Sequence, residues 1–161
     1  MLTWAQPPVE KVYQALTVIA DRRIQELSRN RAIVSSSDGS RQYLVQWNDE
    51  RSAFGSTDRA STSYGYIGYP IIAALLMLRQ LPWSEEAAAA FAGIPWKRLY
   101  QQHSRDPRAI VDAALEQAIA QTGATRLRLV QEAEDLHRQL GCLSLGKIRD
   151  EFMELPPQIL S

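Results

Sequence analysis

The pattern of apolar and polar positions changes period along the chain. Val9, Val12, Tyr13, Leu16, Ile19, Ala20, Ile24 and Leu27 recur at helical spacing, while Arg22, Arg23, Glu26 and Arg29 mostly fall elsewhere on the cylinder. This predicts one helix over about residues 8–29, packing one face on the core. Ala32, Ile33 and Val34 then lead into SSSDGS. Beyond it Tyr43, Val45 and Trp47 alternate with Gln42, Leu44 and Gln46, the period of a strand with one buried face. Asp38-Gly39 fits a two-residue hairpin turn, because glycine accepts the positive φ required. Asn48-Asp49-Glu50 marks a second turn, and Ser52–Thr57 a poorer strand. A small three-stranded antiparallel meander is expected.

Asp58–Ser63 reads as a polar connector. From Ile71 to Leu78 no side chain is polar, and a helix apolar on every side is enclosed by protein or by lipid. The run is about half the roughly 20 residues of a membrane span. A buried core helix over about 70–80 is therefore expected. Pro70 suits its first turn, and Gly65 and Gly68 permit a tight turn or close backbone approach. Ser84 can cap a helix with Glu85 and Glu86 in its first turn. Small Ala89 lets a neighbour approach, Gly93 ends that helix, and Pro95 starts the next. Asp106-Pro107 opens a longer helix closed by Gly123. Leu129, Val130, Ala133, Leu136 and Leu140 continue the scheme until Gly141 stops it. Leu145, Ile148 and Phe152 suggest a last short helix before Pro156-Pro157.

The fold class is thus α+β and mostly helical: an N-terminal helix, the meander, then a C-terminal bundle of about five helices around the apolar one. No repeat or long linker divides the chain. A single domain over residues 1–161 is expected, with helix plus meander at about 8–60 and the helical part at about 66–155.

Eighteen basic and eighteen acidic residues cancel, so no global field favours nucleic acid or an anionic membrane. The lone Cys142 rules out an internal disulfide. The N-terminus shows no basic region followed by an apolar one, and a cytoplasmic protein without membrane association is the expectation.

Catalytic constellations are thin. His137 and Cys142 straddle a helix end but fall short of a zinc ligand set. Gly65-Tyr66-Ile67-Gly68 lacks the third glycine of a dinucleotide fingerprint and the lysine of a P-loop. No serine lies in a nucleophile elbow. Glu132, Glu134 and Asp135, interleaved with Arg126, Arg128 and Arg138, form an ordinary solvated face. No catalytic residue, metal or cofactor is assigned, and the enzyme reading leans to no. A non-enzymatic binding or regulatory module acting through protein contacts, self-association included, is the leading expectation. Trp4, Trp83 and Trp96, each near a helix start and expected to be partly covered, are its candidate anchors.

Ser84–His103, SEEAAAAFAGIPWKRLYQQH, resembles the helix-turn-helix of tetracycline-repressor-type regulators through Ala89, Ala92, Gly93, Ile94, Leu99 and Tyr100. It departs in Trp96, where a lysine is common, and in His103, where an aromatic is. The resemblance implies DNA binding as the alternative function. Lys97, Arg98, Gln101 and Gln102 would then face the groove, and Arg105 and Arg108 would meet phosphates. Residues 96–108 carry four basic side chains against one acidic, a local surplus of +3.

Overall fold

A computed structural model describes residues 2–148. Helix α1 spans Glu10–Ala20, far short of residue 29. Arg22 takes a left-handed φ of 55°, which ends the helix at a residue carrying no breaker signal. Ile24 and Leu27, which continue the helical spacing, are the half-buried positions of strand β1 (Ile24–Ser28) instead.

The three expected strands follow as β2 (Arg31–Ser35), β3 (Gln42–Trp47) and β4 (Ala53–Ser56). A further strand, β5 (Gly146–Lys147), pairs parallel to β4 with Ala53 opposite Gly146. The sheet therefore has five strands in the order β1-β2-β3-β4-β5 and is mixed, in place of a three-stranded antiparallel meander. The β2–β3 tip is also longer than a two-residue turn. Ser36 N–H donates to the Arg41 carbonyl at 2.9 Å, leaving Ser37–Ser40 as the loop. Gly39, at φ 75°, makes its left-handed step. Asp38 Oδ1 accepts from the Ser36 hydroxyl and from both the backbone and the hydroxyl of Ser40, which ties the tip together.

Helix α2 (Tyr69–Met77) is the apolar segment, and Ile71 to Leu76 have no exposed surface. It lies between the sheet and α1. Asp58, itself buried, sits against its N-terminus, so a Cβ on Gly68 would collide with the Asp58 carboxylate. The residues expected as a polar connector hold a π-helical turn over Ala60–Tyr64, headed by Asp58. Its carboxylate accepts from the Ser61 hydroxyl at 2.7 Å and the Ser61 N–H at 3.3 Å.

The remaining helices are α3 (Glu85–Ala90), α4 (Trp96–Gln102), α5 (Pro107–Thr122) and α6 (Arg126–Cys142). Ser84 and Asp106 cap as their positions suggest, accepting from Ala87 N and Arg108 N, and Gly123 closes α5 at φ 72°. Gly141 does not stop α6; its missing side chain makes room for Gln6, whose amide atoms lie 3.0–3.2 Å from where a Cβ would be. Ala89 is exposed, and Ala87, Ala88 and Ala90 let α3 approach its neighbours instead.

The hub of this helical layer is α1, which touches α2, α3, α5 and α6, whereas α2 mainly joins the sheet to α1. Val12 to Val18 are all buried, so α1 packs on every side, not on one face. Leu145 to Ile148, expected in a terminal helix, run along the sheet edge, with Ile148 N–H donating to the Phe54 carbonyl at 3.0 Å. Phe152 and Pro156-Pro157 lie outside the described residues.

Candidate functional site

Two polar residues of the enclosed α1 decide where α4 sits. Trp96 Nε1 donates to Thr17 Oγ1 at 2.9 Å, and Gln14 Nε2 donates to the Tyr100 hydroxyl at 2.6 Å. A buried polar group needs such a partner, and removing one leaves the other stranded. The opposite flank of α4 is held by the hairpin tip. Lys97 N–H donates to Ser37 Oγ at 3.2 Å, and Lys97 Nζ reaches Asp38 Oδ2 at 2.8 Å and Ser40 Oγ at 3.3 Å. Helix α4 thus bridges α1 and the hairpin, and a cavity of about 260 Å³ remains between them.

Four cations line this cavity: Lys11 from α1, Arg23 from the α1–β1 turn, Arg41 from the hairpin and Lys97 from α4. Tyr43, Tyr69 and Tyr100 supply aromatic walls, with Ser36, Ser37 and Ser40 along the hairpin side. Two of the cations have acidic partners. Arg23 Nε pairs with Asp21 at 3.4 Å, and its guanidinium also donates to the Ser35 carbonyl. Asp21 in turn accepts from Gly93 N–H at 2.8 Å, tying the turn before β1 to the turn before α4. Lys97 pairs with Asp38, whose carboxyl is held well below the usual carboxylate range by hydrogen bonds from Lys97 and Ser40. Lys11 and Arg41 have no ion-pair partner among the described residues.

Burial dominates the electrostatics of the inner wall. It lowers the Lys11 ammonium pKa, against the opposing pull of Glu10 and Asp58. The Lys11 ammonium lies 5.6 Å from the centre of the Tyr100 ring, within cation–π range. Burial likewise raises the phenols of Tyr43, Tyr69 and Tyr100 above their ordinary value. Such a set can bind an anion against an aromatic surface. Among the described residues no three His, Cys, Asp or Glu side chains gather as a metal would require, and no helix is long and apolar enough to cross a membrane.

Lys97, Arg98, Gln101, Gln102, Arg105 and Arg108 are all exposed, but only Lys97 lines the cavity. The helix pair carrying the helix-turn-helix resemblance is held mainly by other elements. Helix α3 packs on α1, α5 and α6, whereas α4 packs on α5. The tryptophans all turn their N–H groups inward. Trp96, expected to be partly covered, is 4% exposed because its indole is anchored at Thr17. Trp4 and Trp83 are half-buried and donate to the carbonyls of Phe54 at 3.0 Å and Leu76 at 2.8 Å. Lys147 lies over Trp4 and Arg79 over Trp83. Lys11, Arg23, Arg41, Tyr43 and Tyr69 escape a reading of the sequence, since each alone looks like a solvated charge or a strand or helix-start aromatic.

A family model described as Uncharacterised conserved protein UCP014422 matches residues 4–146, a span that contains every residue of the cleft. No curated protein and no solved structure matches the chain.

Proposed function

The chain belongs to that family, and from this premise we propose that it is a non-enzymatic binding module whose ligand is a small anion held in the cleft. The observation that carries this reading is the convergence of Lys11, Arg23, Arg41 and Lys97 on one cavity also lined by Tyr43, Tyr69 and Tyr100. A scatter of surface lysines and arginines would extend freely into water. Here Lys11 and Arg23 are half-buried, and burying a cation is costly unless an opposite charge compensates. Only two of the four have an acid in direct contact.

Calorimetric titration with inorganic phosphate tests the proposal. Saturable binding is expected, weakening as salt screens the more exposed cations. Arg41→Glu should reduce the affinity by about tenfold or more, the equivalent of roughly 1.4 kcal/mol. Absence of any saturable signal at low ionic strength would remove this function.

A second reading rests on the exposure of Arg98, Gln101, Gln102, Arg105 and Arg108 near one another in sequence. These residues could follow a nucleic-acid backbone. In that case Arg98→Ala should lower the salt slope of duplex DNA binding by about one unit. Equal retention of wild type and an Arg98→Ala/Arg105→Ala variant would eliminate it.

A further inference from the structure

We infer that the ligand of this cleft is a phosphate monoester carrying a single planar ring, with the phosphate among the lining cations and the ring against the tyrosines. This rests on the anion-binding reading and names the chemistry that reading leaves open.

Charge comes first. With Asp21 on Arg23 and Asp38 on Lys97, two positive charges of the lining are left without an acid in contact. A phosphate monoester carries about −1.5 to −2 near neutral pH, whereas a carboxylate brings one charge. Donor number points the same way. A lysine ammonium and a guanidinium alone present about eight N–H donors, more than the roughly four lone-pair sites of a carboxylate. Three terminal phosphate oxygens use such a set better, and the planar guanidinium of Arg41 suits two of them at once.

Size and surface then select the rest of the molecule. The cavity is about 260 Å³, just under the roughly 300–1,000 Å³ of ordinary small-molecule sites, so one ring fits and a dinucleotide does not. Tyr43, Tyr69 and Tyr100 offer aromatic surface in the same cleft. Inorganic phosphate would leave that surface wet. A planar ring covers it, and aromatic partners prefer an offset or edge-on approach that the edge-to-face Tyr43–Tyr69 pair, 6.1 Å apart at 90°, can extend.

The test compares four probes on the intact chain: phenyl phosphate, cyclohexyl phosphate, inorganic phosphate and benzyl alcohol. Phenyl phosphate should bind about tenfold tighter than inorganic phosphate, within the range that stacking supplies, and tighter than the cyclohexyl ester. Tyr43→Leu should erase that advantage, whereas Tyr43→Phe, which keeps the ring, should retain it. Tyr43→Val, whose branched side chain suits a strand, provides a second variant should the first fail to fold. Equal affinities for phenyl and inorganic phosphate would overturn the ring assignment and leave anion binding standing. Benzyl alcohol binding as tightly as phenyl phosphate would overturn the phosphate assignment. Silence from all four probes would end both this inference and the function it rests on.

Discussion

Helices α1 and α2 are both enclosed, yet they are enclosed differently. Between Ile71 and Leu76, α2 offers its neighbours nothing but shape. Over Val12–Val18, α1 carries Gln14 and Thr17 into the same interior, at 4% and 0% exposure, and each bonds to a residue of α4. Apolar contact is non-directional, so α2 sets the depth of the core without choosing an orientation. A buried hydrogen bond has one partner and one direction. Those of α1 fix the position of α4, and with it the places of Lys97 and Tyr100 on the cleft. Shape-only packing of α2 therefore holds the fold together, whereas the directed hydrogen bonds of α1 hold the site in place.

The largest effects should test enclosure itself. Leu75→Ala in α2 and Leu16→Ala in α1, both fully buried, should each cost about 2–5 kcal/mol in denaturant unfolding. If Leu16→Ala cost less than about 0.5 kcal/mol, the range of surface substitutions, α1 would be a surface helix and the comparison would break. Gly68→Ala, which forces a methyl against Asp58, should cost about 1–3 kcal/mol. Measured with Asp58→Ala in the background, that penalty should shrink.

Thr17→Val sharpens the contrast, because it keeps the shape and strands the Trp96 N–H. A loss of about 1–3 kcal/mol is expected. Phenylalanine at position 96 alongside Thr17→Val should recover part of the loss in a double-mutant cycle. A smaller effect appears only at high pH. Burial pushes the Tyr13 phenol, next to the core aromatic Phe91, up to about 12 from 10.0. A raised folded-state pKa stabilises fully below the unfolded value and is lost as pH rises through the folded one. Stability should therefore fall as pH rises from 10 to about 12, and Tyr13→Phe should blunt that fall. On the outer side of α4, Arg98→Ala should change stability by less than about 0.5 kcal/mol.

Much of the frame was legible along the chain. The apolar α2, the caps at Ser84 and Asp106 and the stop at Gly123 each follow from one local rule. The first helix misled because Ile24 and Leu27 keep helical spacing across a break made by Arg22, an ordinary residue in a left-handed conformation. Strand β5 is two residues long and pairs with a partner far away in sequence; no periodicity survives in so short a piece. The full burial of α1 was hidden for a related reason, since Gln14 and Thr17 look like solvent-facing positions until α4 supplies their partners. The cleft was invisible. Lys11, Arg23, Arg41, Tyr69 and Lys97 come from five separate segments, and only tertiary contact brings them to one cavity.

The short β5 has a temporal side. Strand β4 ends at Ser56 and the segment that covers its free edge begins at Gly146. At roughly 5–20 residues per second of ribosomal synthesis, that edge waits on the order of five to twenty seconds for its neighbour. During this interval a nascent chain presents unpaired backbone amides to whatever is nearby. A newborn molecule is thus most vulnerable to clumping just before its closing strand emerges, and slower translation would lengthen that window.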